Sequence, residues 1–284
     1  MRRSWIRAHG SAPWLAIVSI INPHNIYQFP GRERAQIRAG IAAPASGRAD
    51  LATRPKPQLL YMQKDQGRAA RDYGPQDWQR YRSFYYELIE DADANLGIVL
   101  EALDKSGPAI AVYSSDHGDA LGAHGLPFKG PFLYEELLRI PQVISWPGRI
   151  PKAIVTDQLT SQIDLLPTLC DLAGVPPPVG LSGSSLRPLL EERRDFRRDA
   201  IFAEYYAKQK SVNPIRTIRT RDWKLNVYLD GGRELYHLKD DPSETKNLAG
   251  APAHAAIEKT LLARLREWAG EAKDELWRSA HVGA

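Results

Sequence analysis

Ser115-Asp116-His117-Gly118-Asp119 follows Ala109-Ile110-Ala111-Val112-Tyr113, a short apolar run that reads as a buried strand. A carboxylate, an imidazole and a glycine turn therefore fall at the C-terminal end of a strand, where open α/β sheets bind ligands and metals. Asp116 offers a hard oxygen and His117 a borderline nitrogen, a pair suited to a divalent cation. The same residues also suit a local Asx turn, in which the Asp side chain caps the next segment.

The elements that must position these residues are legible in the apolar pattern. Pro13 to Ile21 reads as a core strand, followed by a long irregular segment from Pro23 to about Gln76. From Asp77 to about Ser106 the spacing of Tyr81, Phe84, Leu88, Leu96, Val99 and Leu103 predicts a helix that Gly107-Pro108 ends. Glu135–Ile140 reads as a short helix and Gln142–Trp146 as a strand. Asp164 is placed to N-cap a helix over Leu165–Ala173, with Gly174 as its stop. Beyond the charged run Glu191–Arg198, four short strands are predicted over Ala200–Tyr205, Ile215–Thr220, Trp223–Tyr228 and Glu234–Leu238. A helix over Ala253–Ala269 should pack on them.

Composition narrows the class. The 284 residues carry 38 basic and 34 acidic side chains, for a net charge of +4 spread along the chain. That balance gives no support for a nucleic-acid partner. No apolar run approaches the ~18 residues of a membrane span, so no membrane role is expected. The basic start, Met1 to Arg7, with the apolar run Trp14–Ile21 behind it, superficially imitates a signal peptide. Its β-branched alternation and the Asn22-Pro23-His24 that ends it favour a strand instead, and the compartment stays unknown. The single cysteine, Cys170, excludes an internal disulfide and sits in the helical pattern as a small apolar residue.

Several strings stand in order along the chain: Asn22-Pro23-His24, Ser115-Asp116-His117-Gly118-Asp119, Leu121-Gly122-Ala123-His124-Gly125, Lys129-Gly130, Tyr134-Glu135, Arg139-Ile140-Pro141, Trp146-Pro147-Gly148, Asp164-Leu165-Leu166-Pro167-Thr168-Leu169, Arg221-Asp222-Trp223-Lys224-Leu225 and Asp241-Pro242-Ser243-Glu244. Together they resemble the C-terminal portion of the sulfatase family, within the alkaline phosphatase superfamily, from about Trp5 to Trp268. The resemblance implies an α/β fold with a partial mixed or parallel sheet flanked by helices, and a small C-terminal antiparallel sheet packed with a helix. It implies domains over 1–195 and 196–284 and hydrolysis of a small-molecule or glycan sulfate ester. By the same resemblance Asp116 and His117 are ligands of a divalent cation, calcium first, with magnesium or manganese as alternatives. Lys129 would contact the sulfate oxygens, and His24 would contact the transferred group and protonate the leaving oxygen.

Each residue also has a plainer reading. Lys129 alone would be a surface lysine, His24 a loop histidine, and Asp119 a local cap. His124 is assigned to turn structure between Gly122 and Gly125, Tyr134 to packing, and Glu135 with Arg139 to a helical surface pair. The sequence lacks the Cys/Ser-x-Pro-x-Arg string that sulfatases convert to formylglycine, and the paired aspartates of the family's opening strand. The expectation is therefore the second half of a sulfatase, inactive alone, whose strand Trp14–Ile20 exposes an edge and a face. Two alternatives stay open: a non-catalytic binding module or remnant, and a sister hydrolase of phosphonate monoesters or phosphodiesters.

Overall fold

The structure is a computed structural model that describes residues 13–31, 37–49, 51–191, 196–208 and 211–279. In chain order its main elements are a 3₁₀ turn His24–Gln28, α1 (Lys56–Lys64), α2 (Pro75–Asp104), β1 (Ala111–Ser114), α3 (Glu135–Leu138), β2 (Gln142–Ser145) and α4 (Leu165–Ala173). There follow β3 (Ala200–Lys208), β4 (Ser211–Thr220), β5 (Trp223–Tyr228), β6 (Arg233–His237) and α5 (Ala255–Glu271). The chain divides into two compact units: 1–49, 62–130 and 136–147 form the first, and 50–61, 131–135 and 148–284 the second.

In the first unit β1 and β2 pair antiparallel, Val112 opposite Ile144. α2 begins with Pro75 at its first position and Asp77 accepting from the Gly74 N–H at 3.0 Å, which satisfies one of the free amides of the helix start. Its buried face, Tyr81, Phe84 and Leu88, packs with Ile26, Phe29 and Phe128. The predicted core strand Pro13–Ile21 is not a strand. The segment carries no regular structure, and Leu15, Ile17 and Ile21 are exposed at 75%, 86% and 72%. Alternating apolar residues make a strand only where a neighbour supplies the hydrogen-bond ladder. The predicted irregular stretch to Gln76 in turn hides α1, whose short apolar run Leu59–Met62 after Pro55 and Pro57 gives little helical period.

The second unit is built on an antiparallel sheet in the order β3-β4-β5-β6. Strand alternation gives it two unlike faces. Ile218, Leu225, Val227 and Leu235 form one, and α5 covers them with Leu261, Leu262, Leu265 and Ala269. Each such side chain taken out of water stabilises by roughly 1.5–3 kcal/mol. Lys224, Asn226, Tyr228, Glu234 and Tyr236 point the other way and are just as buried. The Glu234 carboxylate is fully buried and accepts from Gln58 Nε2 (2.9 Å), Tyr134 (3.0 Å), Tyr236 (2.9 Å), Tyr228 (2.9 Å) and Asn226 Nδ2 (3.2 Å). Five donors offset the desolvation of that anion. Desolvation first, and Glu234 second, push the three tyrosine hydroxyls well above their usual range, so they stay protonated donors.

Beside this network Lys224 Nζ lies 2.6 Å from Glu244 Oε1 and 3.2 Å from Glu135 Oε1. Burial pushes Glu244 up to about 7 against the pull of Lys224. At Glu135 burial also acts upward, but Lys224 and Arg219 outweigh it and hold that carboxylate below its usual range. A raised folded-state value means the native state holds the Glu244 proton more tightly. That contribution is complete below the unfolded value near 4.5 and is lost as pH rises through about 7. Glu244→Gln is expected to remove a slope of about 1.4 kcal/mol per pH unit between pH 5 and 7, read from urea unfolding at several pH values.

Asp164 departs from its expected role. Its side chain does not cap α4. It accepts from the Ser161 and Ser184 N–H groups (2.8 and 2.9 Å) and receives both Arg198 nitrogens (2.5 and 2.8 Å). A buried carboxylate with four donors joins three segments, where a cap would have served one. Gly174 does stop α4, in the left-handed region at φ 68°. Cys170 is half-buried. No helix among the described residues is long and apolar enough to cross a membrane.

Candidate functional site

The site lies at the end of β1 within the first unit. Ser115 Oγ donates to the His117 carbonyl at 2.8 Å, and Asp116 Oδ1 accepts from the His117 N–H at 3.0 Å, so the turn is closed by its own side chains. His117 Nδ1 faces the Gly118 carbonyl at 2.7 Å. A carbonyl only accepts, so Nδ1 donates to it and Nε2 is the ring nitrogen that points outward. Lys129 Nζ is 2.5 Å from that Nε2 and 3.5 Å from His24 Nδ1. Asp116 Oδ2 stands 3.4 Å from His117 Nε2, with its side chain 82% exposed. All four residues singled out in the sequence therefore come together, across a separation of 105 residues between His24 and Lys129.

Backbone geometry holds them. Gly118 N–H donates to the Leu137 carbonyl at 2.9 Å. A side chain at Gly118 has no room, because a Cβ there would lie 1.9 Å from the Glu136 carbonyl oxygen. Gly118→Ala is expected to destabilise by about 1–3 kcal/mol, since backbone must move to admit the methyl group. The measurement is the urea midpoint, and an unchanged midpoint would show that the turn yields freely.

Desolvation lowers the Lys129 ammonium from its ordinary range, while Asp116 and Asp119 pull the other way. Desolvation raises Asp119 to about 6, against hydrogen bonds from the Leu121 N–H and Tyr81 hydroxyl and the charges of His117 and Lys129. His124 is buried in a turn at φ 55° between Gly122 and Gly125, its N–H donating to Ser46 Oγ and its carbonyl accepting from Ala49. One neighbour escaped the sequence reading. Tyr27 stacks on Phe128 at 4.4 Å and has the Lys129 ammonium 5.9 Å from its ring centroid. Its position three residues after His24, on the same turn, was the available signal.

Chemically, a cation and two imidazoles converge, with a carboxylate at their edge, a set of groups whose chemistry suits an anion. The fit of a metal is incomplete. Asp116 and His117 give two donors, and no group of three or more His, Cys, Asp or Glu side chains is placed to hold a metal ion among the described residues. Calcium requires 6–8 oxygen ligands, so these two do not form a shell and no reaction step is assigned to an ion here.

The sulfatase family model matches residues 3–175, and that of the N-sulphoglucosamine sulphohydrolase C-terminal region matches 122–271. The Delta 4,5-hexuronate-2-O-sulfatase of Bacteroides thetaiotaomicron is 32% identical over 294 residues, an alignment covering 96% of this chain and 60% of that protein. The solved structure of a 2-O GAG sulfatase superposes over the whole chain and 65% of its own, with TM-score 0.85 and 30% identity. The phosphonate monoester hydrolase of Agrobacterium radiobacter superposes on 93% of this chain and 59% of its own, with TM-score 0.79 and 27% identity. The chain thus spans less than two thirds of the length of these relatives, with their alkaline-phosphatase-like α/β architecture. By its motifs, its fold and these matches, the chain belongs to the sulfatase family.

Proposed function

We propose that this chain carries the sulfate-recognition part of a sulfuric ester hydrolase. The observation behind the reading is the convergence of Lys129 Nζ on His117 Nε2 and His24 Nδ1 at 2.5 and 3.5 Å. Lys129 places a positive point charge where negative charge builds on the sulfuryl oxygens as the S–O bond breaks. His24, an imidazole within reach of the same group, donates the proton that the leaving oxygen requires. Asp116 and His117 would supply two donors to a divalent cation, calcium first, whose chemistry when bound would be that of a Lewis acid. These residues include no nucleophile for sulfur, and the sequence has no string from which formylglycine is made. Recognition without turnover is thus the activity expected of this chain alone. The ester is a small-molecule or glycan sulfate, as the relative that acts as a hexuronate sulfatase suggests.

The likeness to a phosphonate monoester hydrolase supports a second reading, because its substrate is also a singly charged tetrahedral ester. Both are tested by titrating the chain with 4-nitrophenyl sulfate and with 4-nitrophenyl phenylphosphonate, with and without calcium, while following nitrophenol release. Saturable sulfate ester binding without release is the expected result. Preference for the phosphonate would favour the sister hydrolase, and binding of neither would refute both.

A further inference from the structure

We infer that the Tyr81 hydroxyl is a positioning group for Lys129, clasping the two ends of the loop that carries the lysine back to His24 and His117. The inference rests on the anion-recognition reading above, but the clasp can be measured without it.

Tyr81 lies on α2 and is fully buried. Its hydroxyl donates to Asp119 Oδ1 at 3.2 Å and accepts from the Phe128 N–H at 3.2 Å. A phenol has one proton to give and lone pairs to receive, so a single oxygen serves both ends of the loop. Asp119 Oδ1 also accepts from the Leu121 N–H at 2.9 Å, and the Ala120 N–H donates to the Phe128 carbonyl at 2.9 Å. With the Gly122 N–H donating to the Leu126 carbonyl at 3.0 Å, the two limbs of the loop are joined by two backbone bonds, and Tyr81 adds a side-chain link at its ends.

The loop needs such a restraint. Leu121 and Phe128 both hold left-handed φ, 51° and 56°. Side chains of that bulk take this conformation only where their surroundings over-determine it. Phe128 immediately precedes Lys129, so its backbone angles set where the ammonium goes. Its ring is held between Tyr27, stacked at 4.4 Å, and Tyr81, edge-on at 5.6 Å. The rings give packing, whereas the hydroxyl gives the buried Phe128 amide its hydrogen-bond acceptor.

Tyr81→Phe separates these contributions, because it keeps the ring contacts and removes only the oxygen. In the full-length chain, exchange of the Phe128 amide is expected to speed up about tenfold or more, and affinity for inorganic sulfate to fall about tenfold. The melting temperature should stay within a few degrees of the parent. A merely structural tyrosine would change the melting temperature and leave the other two together unmoved. Asp119→Asn, whose carboxamide oxygen still accepts from Tyr81 and Leu121, is expected to keep the Phe128 amide protected, whereas Asp119→Ala exposes it. These two serve if Tyr81→Phe fails to fold. A Phe128 amide as protected in Tyr81→Phe as in the parent would overturn the clasp. Parental sulfate affinity in Tyr81→Phe, with affinity lost in Lys129→Ala, would overturn the positioning role. Parental sulfate affinity in Lys129→Ala would instead refute the anion-recognition reading, and amide exchange alone would then judge the clasp.

Discussion

Lys224→Met is expected to lower the unfolding free energy by about 3–5 kcal/mol, the cost of removing one partner from a buried ionic cluster. Lys224 is fully buried between Glu244 and Glu135, at 2.6 and 3.2 Å. Methionine fills most of the volume, so the loss is electrostatic and not a cavity effect. Glu135 keeps Arg219 at 3.3 Å, whereas Glu244 has Lys224 as its ion-pair partner. Because Glu244 is already pushed up to about 7 by burial, its proton can partly replace the missing ammonium in mild acid. The penalty should therefore be larger at pH 8 than at pH 5. Urea unfolding at both pH values measures it. Lys239→Met, at an exposed position, serves as the control and should change stability by no more than ~0.5 kcal/mol. A Lys224→Met loss below 1 kcal/mol would mean that water or a rearranged partner reaches Glu244.

Lys129→Ala is expected to reduce recognition of a sulfate ester by about 10²–10³-fold, the range for removing one preorganised group that meets developing negative charge. The observable is the dissociation constant of an aryl sulfate for the chain, or kcat/KM in any assembly that turns over. Lys129→Arg should recover only part of the loss. A planar guanidinium is larger and directional, and the space between His117 Nε2 and His24 Nδ1 is set for a compact ammonium. His24→Ala is expected to weaken binding less and to act mainly on a leaving group of poor acidity, since an acidic phenol departs without a proton. Equal losses for good and poor leaving groups would argue against a proton-donating His24.

These expectations draw on parts of the molecule that differ in how openly the sequence declares them. β5 is marked by its own residues, Trp223 to Tyr228, and α2 by the 3.6-residue spacing of Tyr81, Phe84 and Leu88. Such local signals need no distant partner. Pro13–Ile21 has an equally clear local pattern yet forms no strand, because pairing depends on a neighbour that a local pattern cannot supply. The polar face of the C-terminal sheet was hidden for the same reason. Glu234 and Lys224 look like ordinary exposed charges until Gln58, Tyr134, Glu135 and Glu244 are brought to them. Asp164 reads as a cap because caps are local, while its main partner, Arg198, lies 34 residues away. At the site, Asp116 and His117 declare themselves by their place after a strand. His24 and Lys129 were found through the order of family motifs, and Tyr81 was seen only as a core aromatic.

The second unit takes residues 50–61 and 131–135 from inside the first unit's stretch of sequence. Gln58 and Tyr134, two of the five donors to Glu234, arrive on those two segments, as does Glu135, which faces Lys224. A recombination breakpoint anywhere between 62 and 130 would therefore part Gln58 from Tyr134. A fragment beginning at 148 would inherit a buried glutamate with two of its donors left behind. The C-terminal sheet cannot be shuffled between proteins as a cassette, because the partners of its buried charges must be inherited with it on segments 50–61 and 131–135.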